Sequence, residues 1–364
     1  MPFLYFCKYF EVFFRKTAIF FRKVLYSQEI NHSSMKVIIP VAGVGTRLRP
    51  HTHTQPKTLV PIAGKPILAH IVDELINYGF QQFVFVLGYM GEKVENYIRT
   101  HYQDSIQAEF VNQEPREGSA HALWVARHSY EQENEILIVL GDTIAPLDYS
   151  KLLKTKYSVV GVKKVSNPML FGIVQVGKKG EVINLVEKPK IPKSNLALVG
   201  IYKIRNISLF LESIATLMQR NQKTQNEYNL TDALMLMIEK GETIQTMPVE
   251  HWYDCGKRET LLEANAILLN KNEFKNQVPV FPNTIIIPPV SIGKNCEITN
   301  SIIGPNVAIG EDTILSNAII SNSIIGSYSE LANVVLKDSI VGNDSSLKGE
   351  SYVLNIGDNA EINL

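Results

Sequence analysis

Cysteine is scarce: the 364 residues hold 3, at Cys7, Cys255 and Cys296, far apart along the chain. Neither a disulfide framework nor a paired-cysteine metal knuckle can be built from that spacing, and a reducing, cytoplasmic setting is expected. A surplus of either charge is also missing, since Lys and Arg number 36 and Asp and Glu 36, with no basic block. Gripping a phosphate backbone needs concentrated cations, so nucleic acid is not an expected partner. Long apolar runs are absent as well. A membrane span needs about 20 apolar residues, and in residues 1–34 every run is cut by Lys8, Glu11, Arg15, Lys16, Arg22 or Lys23. The same charges, with no small-residue cleavage site after them, fit a secretory signal poorly. Histidine, finally, does not occur beyond His251.

What is present in residues 1–34 is a crowd of Phe and Tyr mixed with basic side chains. Two readings fit it: a basic-aromatic helix with a weak membrane-surface interaction, or an extension outside the working fold. Met35-Lys36-Val37-Ile38-Ile39 opens directly into a buried-strand pattern, which favours the second, with Met35 as the start.

From there the chain alternates. Apolar runs at Val37–Val41, Phe83–Leu87, Ala108–Val111 and Ile136–Leu140 predict buried strands. Helical patterns at Pro66–Tyr78, Glu92–His101 and His121–Glu131 separate them, with Pro66 suited to a first helical turn. Further strands are predicted at Ser158–Val165, Gly172–Val176, Val182–Val186 and Leu196–Ile204, and helices at Ile207–Gln219, Thr231–Lys240 and Arg258–Leu269. This rhythm implies an α/β domain over residues 35–272: a Rossmann-like, mostly parallel sheet covered by helices, with ligands at the carboxyl ends of its strands.

The remainder changes character. Ile-Gly or Val-Gly recurs at 292/293, 303/304, 309/310, 325/326, 341/342 and 356/357, and the tetrapeptide SIIG at 301 and 323 is echoed by SIVG at 339. Short strands, an inward aliphatic and an Asn- or Gly-rich corner describe a solenoid over residues 281–364. The repeat resembles the hexapeptide pattern of left-handed parallel β-helices. Enzymes resembling that fold use a histidine base in the coils, and none lies here, so a structural or oligomerising role is expected.

The loop after the first strand reads Pro40-Val41-Ala42-Gly43-Val44-Gly45-Thr46-Arg47-Leu48-Arg49-Pro50. Two glycines one residue apart let backbone N–H groups turn toward an anion, and an Arg and a later Lys57 add charge. The string is neither a Walker A loop nor a complete dinucleotide fingerprint. With the Pro56-Lys57 and Lys65-Pro66 pairs that follow, it resembles the nucleoside-diphosphate-sugar pyrophosphorylases, the sugar-1-phosphate nucleotidyltransferases. Gly43, Gly45, Thr46, Arg47, Leu48, Pro50, Thr52, Pro56, Lys57, Lys65 and Pro66 match that family's pattern. Taken with the solenoid, the chain is most similar to the family's long-form glucose-1-phosphate thymidylyltransferase branch. Ala42 departs from the commonest loop, which has two consecutive glycines, and is closer to the glucose-1-phosphate uridylyltransferases.

The resemblance implies a reaction between a nucleoside triphosphate (dTTP, alternatively UTP) and a hexose-1-phosphate, and a role for each matching residue. Arg47, Lys57 and Lys188 are the expected catalytic cations. Ala42, Gly43, Gly45, Thr46, Gln113 and Gly118 are expected around the nucleotide, and Gln113 offers both a donor and an acceptor to a pyrimidine. Gly172, Glu187, Lys188, Gly200 and Tyr202 are expected around the sugar phosphate, the glycines leaving room for a hexose. Asp142, after Leu140-Gly141, and Asp254, in Trp252-Tyr253-Asp254-Cys255-Gly256, are the expected Mg²⁺ ligands. A non-catalytic regulatory subunit is the reading from another class; such relatives tend to lose the loop Arg, the metal Asp or the sugar Lys, whereas Arg47, Asp142, Lys188 and Asp254 are all here. A homo-oligomer is expected.

Overall fold

A computed structural model describes residues 35–270 and 279–350. The expectations for residues 1–34 lie outside the described residues. By contact the chain forms two units interleaved in sequence: one made of residues up to Gly43 with Ile71–Trp252, the other of Val44–His70 with the chain from Tyr253 onward.

The first unit is a nine-stranded sheet. From one edge its main path runs Val182–Glu187, Gly172–Val176, Leu196–Ile204, Ile136–Val139, Lys36–Pro40, Gln82–Leu87 and Gln107–Asn112. Val37, Ile38 and Ile39 are all fully buried, as a strand covered on both faces requires. Lys36–Pro40 runs parallel to both neighbours, and Gln107–Asn112 continues the parallel run. Leu196–Ile204 then turns antiparallel against Ile136–Val139, and Gly172–Val176 pairs antiparallel with Val182–Glu187. The sheet is therefore mixed, mostly parallel on the helix-connected side. The reason is chain length: a parallel return needs a crossover of a dozen residues or more, whereas only a short turn separates Val176 from Val182.

Two elements were not visible in the periodicity. Ile244–Pro248 pairs parallel with Ser158–Lys164, although Ile-Gln-Thr-Met-Pro has no apolar run and only Ile244 is fully buried. Tyr149–Lys154 forms a short helix, its N-cap Asp148 accepting from Lys151 N. The helices Ile207–Gln219 and Leu230–Glu239 contribute their apolar sides (Phe210, Leu217, Leu234, Met237) to one buried core that also holds Ile38, Val84 and Ile138 of the sheet. The first is capped by Asn206, whose Oδ1 accepts from Leu209 N at 3.1 Å.

The second unit is a parallel β-helix with an appended hairpin and helix. Partner residues recur at 16- and 17-residue intervals: Ile285 pairs with Ile302, Ile302 with Ile319, and Glu330 with Ser346. This parallel stacking is that of the left-handed β-helix the repeat predicts. Ile298, Ile303, Leu315, Ile320, Ile325 and Leu331 fill the centre. The corners are asparagines and aspartates at positive φ, among them Asn300, Asn317, Asn333 and Asp312, the side chains that enter the left-handed region most readily after glycine. Pro66 does not open a helix as expected. Lys65–Pro66 instead pairs antiparallel with Pro61–Ile62, and the helix Ile67–Asn77 begins one residue later. The buried Asn265 of the helix Arg258–Leu269 accepts from Ala63 N at 2.8 Å and donates to Asn306 O at 3.1 Å, tying hairpin, helix and coil within this unit. Among the described residues, no helix is long and apolar enough to cross a membrane.

Candidate active site

In the first unit, the carboxyl ends of Lys36–Pro40, Gln82–Leu87 and Ile136–Val139 emerge at one edge of the sheet, because all three are parallel and in register. The loop that starts there is held by its neighbours: Val41 N donates to Val86 O at 2.9 Å, Tyr89 N to Ala42 O at 3.3 Å, and Gly141 N to Pro40 O at 3.2 Å. A methyl group on Gly43 would meet nothing within 4 Å, so a ligand has open access to that stretch of backbone. Asp142 sits within a tight turn closed by Thr143 N donating to Leu140 O at 3.1 Å, itself fixed by Leu140 N donating to Gly200 O at 2.9 Å.

Glu187 ends its strand opposite Gly172. Its Oε2 accepts a 2.7 Å hydrogen bond from Thr231 Oγ1, and a methyl on Gly172 would fall 2.9 Å from each of those two oxygens. The space at Gly200 is filled as well, by Thr143 and Leu140; that residue sits at φ 85°, where the strand shifts register against Ser158–Lys164. Both glycines thus serve close packing of the sheet rather than an open volume. Lys188 follows with φ 40°, uncommon for a residue with a side chain, its N–H held by Phe171 O at 3.0 Å. Its Nζ lies 3.5 Å from Glu187 Oε1 and donates to Gln225 Oε1 at 3.5 Å. The buried phenol of Tyr202 is pushed well above its ordinary range, first by burial and then by the carboxylates of Glu187 and Asp142. Asp142, Glu187 and Tyr202 therefore share one neighbourhood.

Three residues there were not legible as site residues. Thr231 orients Glu187. Asp232 has a buried Oδ2 without a hydrogen-bond partner; burial raises its carboxyl pKa, a hydrogen bond from Thr224 opposes this, and Glu187 adds to the rise. Trp252 stands edge-on to Phe171 at 4.8 Å, with a buried indole N–H that likewise has no partner. Buried polar atoms are rarely left so.

Gln113 and Gly118 come together a short way along the same unit. Gln113 Nε2 is 3.0 Å from Gly118 O and 3.1 Å from His121 Nδ1. Gly118 needs to be glycine: its φ is 110° and a methyl would sit 2.6 Å from Tyr228 O.

The second unit holds the other cations. Gly45, at φ 68°, starts the 3₁₀ turn Thr46–Leu48, its carbonyl accepting from Thr52 Oγ1 at 2.9 Å and from Leu48 N at 3.0 Å. A methyl on it would press on Lys57 Cβ at 2.8 Å. Lys57 Nζ stands 4.0 Å from Asp254 Oδ1. Around the place where Gly256 would carry a side chain, Asp254 Oδ1 lies at 2.8 Å, Arg47 Nη2 at 2.9 Å and Lys57 Nζ at 3.1 Å. Two cations and a carboxylate thus converge over one bare backbone position, an arrangement able to hold polyphosphate oxygens.

Comparison with known proteins agrees with this chemistry. A family model described as nucleotidyl transferase matches residues 36–271. The chain is 35% identical over 262 residues to the bifunctional protein GlmU of Methanococcus maripaludis, covering 69% of this chain but 60% of that protein. It therefore spans well under two thirds of that relative's length. It is 30% identical over 275 residues to a glucose-1-phosphate thymidylyltransferase of Streptomyces antibioticus, covering 73% of this chain and 75% of that one. Among solved structures, a UDP-glucose pyrophosphorylase complexed with UDP-glucose superposes with a TM-score of 0.57 over 65% of this chain and 99% of that one, at 24% identity. That likeness concerns the fold.

Proposed function

The chain belongs to the nucleotidyl transferase family, and from that premise we propose that it transfers a nucleotidyl group from a nucleoside triphosphate to a hexose-1-phosphate, dTTP and glucose-1-phosphate being the first pair to try. The observation that carries this reading is the convergence of Arg47, Lys57 and Asp254 on Gly256. Polyphosphate chemistry needs charge held in place, and little else from the protein.

In the reaction an oxygen of the sugar phosphate attacks the α-phosphorus in line, the bond to the β-phosphate oxygen breaks, and pyrophosphate leaves. The attacking oxygen is already ionised near neutral pH, so no general base is required. Lys188 positions the attacking phosphate. Arg47 and the backbone N–H groups of Gly43, Gly45 and Thr46, in the loop that Ala42 begins, hold the triphosphate, and Lys57 holds charge about the α-phosphate. Gln113 and Gly118 receive the base. Glu187 and Tyr202 receive the sugar hydroxyls, on the frame set by Gly172 and Gly200. Asp142 and Asp254 are the carboxylates proposed to hold Mg²⁺. A hard-oxygen donor set without thiolate or imidazole suits that ion, which when bound neutralises phosphate charge.

These roles fall within residues 35–272. The β-helix expected over 281–364 is assigned a structural and oligomerising part in a cytoplasmic homo-oligomer, and no acyl transfer is assigned to coils that lack histidine. UTP is the second reading for the nucleotide, favoured by Ala42, whose place in the loop is closer to the glucose-1-phosphate uridylyltransferase spelling. The test is pyrophosphate release with Mg²⁺, glucose-1-phosphate and each of dTTP, UTP, GTP, ATP and CTP. Release with dTTP supports the first reading and release with UTP the second. No release with any nucleotide across a panel of hexose and amino-sugar phosphates overturns both and favours a non-catalytic subunit.

A further inference from the structure

The side chain of Gln113 is buried, and its orientation is dictated by chemistry. The atom facing the Gly118 carbonyl at 3.0 Å must be the amide nitrogen, because a carbonyl oxygen only accepts and the flipped amide would set two acceptors face to face. The nitrogen's second hydrogen then points at His121 Nδ1, 3.1 Å away. That ring nitrogen must carry its lone pair, so His121 is neutral with its proton on Nε2. Both amide hydrogens are consumed inside the protein. What remains of Gln113 is Oε1, which takes no hydrogen bond among the described residues.

The frame that holds this arrangement is firm. Gln113 N donates to Leu87 O at 2.8 Å, Ala120 N to Tyr228 O at 2.9 Å, Tyr228 N to Glu117 O at 2.8 Å, and Leu230 N to Ser119 Oγ at 2.9 Å. The charged groups facing His121 are Glu117 and Lys223, themselves paired at 2.8 Å. Burial, the largest influence, holds the imidazole pKa below its usual value; Glu117 opposes that and Lys223 adds to it.

We infer that His121 is a positioning residue for nucleobase choice: with the Gly118 carbonyl it turns Gln113 so that the site offers the base an acceptor and no donor. This rests on the nucleotidyl-transfer reading and deepens it. A pyrimidine whose N3 carries hydrogen, uracil or thymine, can donate to Oε1. Cytosine presents an N3 lone pair there, acceptor against acceptor. The dual donor-and-acceptor role expected of Gln113 from sequence narrows to acceptor alone.

The test is calorimetric binding of UTP, dTTP, CTP and N3-methyl-UTP to the full-length protein. The expected result is UTP or dTTP binding about 10- to 100-fold more tightly than CTP and N3-methyl-UTP, the penalty of an unmet buried acceptor. His121→Phe should weaken UTP about 10-fold and shrink the preference over CTP. His121→Asn, whose Oδ1 keeps an acceptor, should restore most of it. In the unaltered protein the preference should fade as the pH falls below the ordinary imidazole range, where an imidazolium would face the amide donors, and in His121→Asn it should not.

Equal affinity for UTP, CTP and N3-methyl-UTP overturns the inference, as does binding of no pyrimidine nucleotide or an undiminished preference in a folded His121→Phe. The analogue arm decides even where that variant does not fold. The preference without pyrophosphate release sinks the catalytic proposal and leaves this one standing, whereas release with CTP equal to that with UTP does the reverse.

Discussion

A hydrogen in place of a methyl at Gly256 is what lets Arg47, Lys57 and Asp254 approach one another, since a side chain there would meet all three at 2.8–3.1 Å. All three contacts are the far ends of flexible side chains, so Gly256→Ala can fold by pushing them aside. The expected outcome is a melting temperature close to that of the unaltered protein with kcat/KM lower on the order of 10²-fold, the scale of losing a preorganised charge at the reacting centre. Kinetics that survive the substitution would dissociate this cluster from the chemistry. Arg47, Lys57 and Asp254 could be singled out in the sequence because each stands in a string of fixed spacing. Gly256 was visible only as the end of such a string, and its reason emerges once the three side chains are in place. Thr231 and Asp232 gave no signal at all: an ordinary threonine and aspartate at a helix start, whose link to Glu187 spans 44 positions of sequence.

The helix Leu230–Glu239 is the element that makes that link. Its first turn sets the Thr231 hydroxyl on Glu187 at 2.7 Å and carries Asp232 beside the same carboxylate. Thr231→Val keeps the shape and removes the donor. The expected result is a loss of about 1.5–3 kcal/mol in denaturant unfolding, the worth of a hydrogen bond to a charged group, together with a roughly 10-fold rise in KM for the sugar phosphate and a smaller change in KM for the nucleotide. A rise confined to the nucleotide would place Glu187 elsewhere in the reaction. Strands and helices with one strong period were legible, as Leu196–Ile204, Ile207–Gln219 and Arg258–Leu269 show. Where two local signals compete, the sequence misleads. Proline before an apolar run favours a helical first turn, yet Pro66 pairs with Pro61 because the two-residue turn Ala63-Gly64, with both residues at positive φ, closes a hairpin first. Ile244–Pro248 escaped notice because its neighbours, not its own residues, bury it.

At the largest scale the β-helix leaves one feature unaccounted for by folding alone. Its 16- to 17-residue period stacks Ile285, Ile302, Ile319 and Val335 into a single outward column, of which Ile285 is 60% exposed, Ile319 47% and Val335 76%. Inward aliphatics at Ile303 and Ile320 already fill the core of the same strands, so the outward set is not needed to fill the coil's interior. An uncharged ladder repeated over four rungs matches a second copy of itself, and self-association through it is the expectation carried by the proposed homo-oligomer. Light scattering on the full chain should then give a mass of at least two copies. The double variant Ile319→Lys, Val335→Lys should fall to a single 40.9 kDa species with unchanged unfolding, because exposed positions on a formed strand tolerate charge. An unaltered protein that already runs as one copy would overturn the assignment, and the ladder would then have to meet a different molecule. If the double variant is monomeric and still releases pyrophosphate at the parent rate, assembly serves something other than the chemistry, since every residue assigned to transfer lies at or before Gly256.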